Sequence, residues 1–99
     1  VESFNDIIHG DGLTLVDFFA TWCGPCQQMH PVLEQFKADM QDEVRVLKLD
    51  IDRNQSLASF YGIQSVPTLM LFRQGELLWR QSGTMPLDEL KALVSQHRA

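Results

Sequence analysis

Cysteine is scarce in this 99-residue chain: the two present, Cys23 and Cys26, fall far below the density of a secreted miniprotein stapled by disulfides. Basic charge is also short, with eight Lys and Arg against thirteen Asp and Glu and a net charge of -5. That sign is wrong for gripping a phosphate backbone or an anionic bilayer, so neither nucleic acid nor a membrane surface is an expected partner. Long apolar runs are missing. The best candidate, residues 66–72, is interrupted by Pro67 and Thr68 and is well short of the ~18 residues a membrane span needs. With no internal repeat, low-complexity tract or Ser/Gly linker, residues 1–99 read as a single domain. No basic segment followed by an apolar stretch opens the chain, but it begins at Val1 rather than Met, which leaves a removed upstream segment and the compartment open.

What is present is an ordinary globular balance, 44% hydrophobic and 21% charged, enough for a real core. Phe4, Ile7 and Ile8 keep helical spacing behind Ser3, an N-cap candidate, and Gly10-Asp11-Gly12 ends that short helix. Residues 13–20 are almost continuously apolar, as a strand covered on both faces must be. From Cys26 the period changes. Met29, Val32, Leu33, Phe36 and Met40 form one stripe of a long helix, which Pro31 should kink. Residues 44–51 read as a second strand and 55–61 as a short helix ended by Gly62. Residues 68–72 and 77–81 flank Gln74-Gly75 as an antiparallel hairpin, and Pro86 opens a last amphipathic helix carrying Leu87, Leu90, Leu93 and Val94. The order α-β-α-β-α-β-β-α asks for an α/β domain with a central mixed sheet and helices on both faces.

Trp22-Cys23-Gly24-Pro25-Cys26 falls where the first strand ends and the long helix begins, the ligand-facing end of an α/β strand. Unpaired N–H groups and the helix dipole favour an anion there, so Cys23 is placed to act as a thiolate while Cys26, further in, is packed. Residues at i and i+3 of a regular helix have Cβ atoms roughly 5–6 Å apart, whereas a disulfide wants about 3.8 Å. The first turn must therefore adjust when the bond closes, and such a small ring suits electron transfer better than stapling. Two rivals stay open at this point. A static disulfide would close almost no chain loop and contribute little entropy. A metal site could recruit His30, but a closed zinc site wants four ligands and the sequence offers no second pair. Covalent haem attachment is excluded because Gln27, not His, follows Cys26.

With Val16-Asp17-Phe18-Phe19-Ala20-Thr21 ahead of that motif, and Val66-Pro67-Thr68 and Phe72-Arg73-Gln74-Gly75-Glu76 after it, the chain resembles the thioredoxin family over almost its whole length. The resemblance implies the thioredoxin fold, here with four strands and four helices, because the chain starts about where the family's first helix follows its usual first strand. It implies a protein-disulfide reductase, with Cys23 as nucleophile and Cys26 as the resolving thiol. No bound cofactor is implied beyond the redox-active Cys23–Cys26 pair. Disulfide-containing proteins would be the substrates and a separate thioredoxin reductase, usually a flavoprotein drawing on NADPH, would regenerate the dithiol. A monomer in the cytoplasm is the expected state, an extracytoplasmic site staying open.

The same resemblance makes Asp17 the acid that accepts the Cys26 proton, with Lys48 as its neighbour. From the residues alone, an Asp among Leu15, Val16, Phe18 and Phe19 either has its pKa raised by burial or is hydrogen-bonded or edge-exposed. Pro67 by itself reads as a turn or sheet edge; the family places a cis bond after Val66 there, facing the cysteines. Trp22, Gly24, Pro25, Val66, Pro67, Gly83 and Thr84 would form the substrate-docking surface, although Trp22 alone could be core. Gln27 replaces a basic residue common in the family, Phe19 a tryptophan, and Trp79 has no assignable role. His9, His30 and His97 read as surface or satisfied histidines. Two other readings remain: an extracytoplasmic oxidant or isomerase, and a non-catalytic docking subunit of the same fold.

Overall fold

In the computed structural model, residues 3–98 are described. The elements run α1 (Phe4–Ile8), β1 (Leu13–Phe19), α2 (Gly24–Met40), a 3-10 turn (Gln41–Glu43), β2 (Val44–Asp50), α3 (Gln55–Phe60), β3 (Thr68–Arg73), β4 (Glu76–Ser82) and α4 (Leu87–Gln96). The sheet order is β2-β1-β3-β4, a four-stranded mixed sheet flanked by four helices. β1 is central, parallel to β2 from Leu13↔Val44 to Phe19↔Asp50 and antiparallel to β3 from Thr14↔Phe72 to Phe18↔Thr68. Its continuous hydrophobicity has the expected cause, since both faces are covered. Leu15, Leu69 and Leu71 pack with Met29, Leu33 and Phe36 of α2 and Leu90 and Val94 of α4. Val16, Phe18, Met70 and Phe72 pack on the other face with Ile8 of α1 and Leu57 and Tyr61 at α3.

Local chemistry sets the element ends. Ser3 closes a capping box: its side chain accepts from the Asp6 N–H (3.1 Å) and the Asp6 carboxylate accepts from the Ser3 N–H (3.4 Å). Gly62, at φ +61, ends α3 in a Schellman motif. Its N–H donates to Ser59 O (3.1 Å) and the Ile63 N–H to Ala58 O (2.9 Å). The hairpin turn puts Gln74 and Gly75 at φ +52 and +82, the positive values that a two-residue primed turn requires. Their N–H groups donate to Gly10 O (3.1 Å) and Ile8 O (2.8 Å), tying the hairpin to the loop after α1.

Two boundaries differ from expectation. α2 begins at Gly24, ahead of the apolar stripe, because Gly24 and Pro25 carry no hydrophobic signal yet complete the first turn behind the Cys23 cap. It is one uninterrupted helix through Pro31, whose missing N–H removes only the bond to the Gln27 carbonyl. Pro86 precedes α4 rather than opening it: at ψ 153° it is still extended, and the helix starts at Leu87.

Candidate active site

β1 delivers the chain to the site at Ala20, whose carbonyl accepts the Cys23 N–H (3.2 Å) and closes a tight turn over Thr21 and Trp22. Cys23 is the N-cap of α2. Its Sγ accepts the Cys26 N–H at 3.1 Å, doing with sulfur what a Ser or Asp oxygen does at other caps. Pro25 lies in the first turn, where a missing N–H leaves no helical bond unmade. The two cysteines form a disulfide with Cα atoms 5.3 Å apart. They are not equivalent: Cys26 is fully buried, whereas Cys23 borders an open depression of about 410 Å³.

Besides Cys23, that depression is lined by Trp22, Gly24, Pro25, Ile51, Ile63, Gln64, Ser65 and Val66. Val66 O lies 3.5 Å from Cys23 Sγ, and the Val66–Pro67 peptide is cis. Thr68 steadies this loop, donating to Ser65 O (2.7 Å) and meeting Ser82 Oγ (2.9 Å). The Gly83 N–H donates to Pro67 O at 2.8 Å, but buried Pro67 and exposed Gly83 and Thr84 do not line the depression. Trp22 is 68% exposed, so it is surface and not core. Its Nε1–H donates to Asp52 Oδ2 (3.0 Å), while the Asp52 N–H donates to Asp50 Oδ1 (2.8 Å). Ile51, Asp52, Ile63, Gln64 and Ser65 were not legible as site residues; they come from the turn after β2 and the loop before β3, which no local pattern joins to Cys23.

Asp17 lies within β1, the strand that leads to the cysteine pair. Side chains alternate along a strand, so Asp17 faces the α2 side with Leu15. It is fully buried, and neither carboxyl oxygen has a hydrogen-bond partner. Burial pushes its pKa up to about 6, with the Lys48 charge pulling the other way. Lys48 is its cross-strand neighbour in register, yet the Lys48 Nζ lies 3.2 Å from His30 Nδ1. His30 also packs edge-on against Phe19, with ring centroids 5.8 Å apart. His9 and His97 turn Nδ1 to the Asn5 and Leu93 carbonyls, and Trp79 packs against the core. Among the described residues no group of three or more His, Cys, Asp or Glu could hold a metal ion.

A mixed sheet that presents a Cys-x-x-Cys disulfide at a helix N-terminus, one cysteine bordering an open depression and the other fully buried, defines a thiol-disulfide oxidoreductase. The thioredoxin family model matches residues 1–96, and the chain belongs to the thioredoxin family. Thioredoxin from Bacillus subtilis is 41% identical over 87 residues, 88% of this chain and 84% of the relative. Thioredoxin from Staphylococcus saprophyticus is 41% identical over 96 residues, 97% and 91% of the two chains. The solved structure of a point mutant of thioredoxin from Halobacterium salinarum superposes with a TM-score of 0.84 at 39% identity, covering 100% of this chain and 88% of that one. The protein is thus a thioredoxin-type protein-disulfide reductase whose redox-active disulfide is Cys23–Cys26.

Proposed function

We propose that Cys23 is the attacking sulfur, Cys26 the resolving one and Asp17 the proton acceptor between them. The observation that carries this reading is the asymmetry of the pair: Cys23 borders the depression and receives the Cys26 N–H, while Cys26 is sealed beneath it. The Cys23 thiolate attacks one sulfur of a substrate disulfide; a new S–S bond forms, the substrate bond breaks, and the departing sulfur takes a proton. Cys26 then loses its proton toward Asp17 and attacks Cys23 Sγ, so the mixed disulfide breaks and the second substrate thiol leaves. Two electrons pass to the substrate and the Cys23–Cys26 disulfide remains.

The substrate is a protein segment laid across Trp22, Gly24, Pro25 and Val66. The Val66 carbonyl beside Cys23 supports backbone pairing with an extended chain, the Gly83 N–H braces Pro67, and Thr84 follows in the same loop as a further docking residue. Lys48 acts on Asp17 through its charge. Regeneration falls to a thioredoxin reductase, and a reducing compartment such as the cytoplasm suits the cycle. Residues 1–99 act as one domain in this reading. No helix among the described residues is long and apolar enough to cross a membrane.

Substitution separates the roles. Cys23→Ser should abolish reduction of a protein disulfide in a recycling assay, and Cys26→Ser should accumulate the mixed disulfide. Asp17→Asn should slow resolution about tenfold or more while leaving the first attack nearly unchanged. Full activity in Cys23→Ser overturns the assignment of the nucleophile, and equal rates of both steps in Asp17→Asn overturn that of the proton acceptor.

A further inference from the structure

Lys48 and Asp17 are register partners on adjacent parallel strands, and the pleat sends both side chains to the α2 side of the sheet. A buried carboxyl and a nearby ammonium would ordinarily pair. Here they do not: both Asp17 oxygens are without a hydrogen-bond partner. The ammonium is held instead by His30, one turn beyond Cys26 on α2, across 3.2 Å. An ammonium only donates, so His30 Nδ1 must accept and the neutral ring must carry its proton on Nε2. The ring is held in turn by its edge-on contact with Phe19 of β1.

We propose that His30 is a positioning residue that holds the Lys48 ammonium off the Asp17 carboxyl, leaving that carboxyl unpaired and free to carry a proton beneath the redox pair. The catalytic consequence rests on the reading of Asp17 as proton acceptor; the geometric claim does not. A salt bridge would fix Asp17 as a carboxylate that gives up its proton early, whereas an unpaired buried carboxyl takes one readily. Of the surrounding charged groups, Asp50 Oδ1 already accepts from the Asp52 N–H and Asp52 Oδ2 from Trp22. Arg53 follows in the same turn, and Glu34 on the next turn of α2 is exposed. β3 sets Leu69 opposite Asp17 and brings no charge. Once released from His30, the ammonium has Asp17 as its fully buried partner, and half-buried Asp50, which lines the same surface depression as Lys48, is the competitor.

The test is a carbon-13 NMR titration of the Asp17 carboxyl in the oxidised protein, for wild type, His30→Ala, His30→Gln, Lys48→Met and His30→Ala/Lys48→Met. His30→Ala should lower the Asp17 midpoint by about one pH unit, the effect of bringing the Lys48 charge, which already acts on Asp17 from a distance, into direct contact with it. His30→Gln keeps an acceptor and should restore the wild-type midpoint. The double variant should match Lys48→Met alone, because without the ammonium His30 has nothing to position. An unchanged or raised midpoint in His30→Ala overturns the proposal, including the outcome in which Lys48 swings to Asp50. A His30→Gln midpoint equal to that of His30→Ala also overturns it, since ring bulk and not the acceptor would then hold Lys48. If instead the midpoints move as stated while Asp17→Asn resolves mixed disulfides at the wild-type rate, the role of Asp17 fails and the positioning by His30 stands.

Discussion

The backbone N–H of Cys26 donates to Cys23 Sγ across 3.1 Å, so the sulfur proposed as nucleophile caps the helix that carries the proposed resolving cysteine. In the dithiol form the same N–H, with the positive end of the α2 dipole, favours negative charge on Cys23. Cys26 has no such access to solvent or donor and is fully buried. Reduced protein treated with iodoacetamide near neutral pH should therefore be alkylated at Cys23 at least tenfold faster than at Cys26. Peptide mass spectrometry at early times checks this; comparable labelling of the two would contradict the geometry.

Asp17 gives the fold a pH dependence whose sign is fixed by its environment. Its pKa rises from 3.8 toward about 6 on folding because burial disfavours the charged form. The folded state thus holds the proton more tightly, a contribution fully present below pH 3.8 and lost as pH rises through about 6. The shift corresponds to about 3 kcal/mol. Asp17→Asn cannot titrate, so relative to that variant the wild type should lose most of this, about 2.5 kcal/mol, between pH 4 and pH 7.5. Urea unfolding of the oxidised proteins at several pH values measures it, and parallel curves would show that Asp17 carries no such penalty.

Trp22 is mostly exposed yet oriented by its bond to Asp52. Asp52→Ala should free the indole and lower kcat/KM for a protein disulfide about fivefold, as loss of about 1 kcal/mol of positioning predicts. Asp52→Asn keeps an acceptor oxygen and should fall between the two. Steady-state kinetics with time-resolved tryptophan anisotropy tests the link, provided the Trp22 signal is isolated in a background lacking Trp79. Unaltered indole mobility in Asp52→Ala would break it.

Gly62 offers a test of backbone strain next to Ile63, which lines the depression. An alanine there would meet no neighbouring atom, but φ +61 strains any side chain, so Gly62→Ala should cost about 1 kcal/mol of stability. Gly75→Ala should cost more, because its Cβ would run into the His9 ring as well as keep φ +82. Thermal unfolding of the two variants side by side gives the ranking.

The sequence by itself determined the elements, the class of fold and the redox pair. Each has a local cause: the period change at Cys26 marks a strand giving way to a helix, Gly62 and Gln74-Gly75 mark turns needing positive φ, and two cysteines three apart at a helix start already specify thiol chemistry. What tertiary structure alone decided is which side chains meet. Asp52 reaches Trp22 over 30 positions, Val66 reaches Cys23 over 43, and Lys48 passes its neighbour Asp17 to bind His30, 18 positions away. Such pairings depend on strand register and on which helix covers which face, and these follow from burying the whole core at once rather than from any local run of residues.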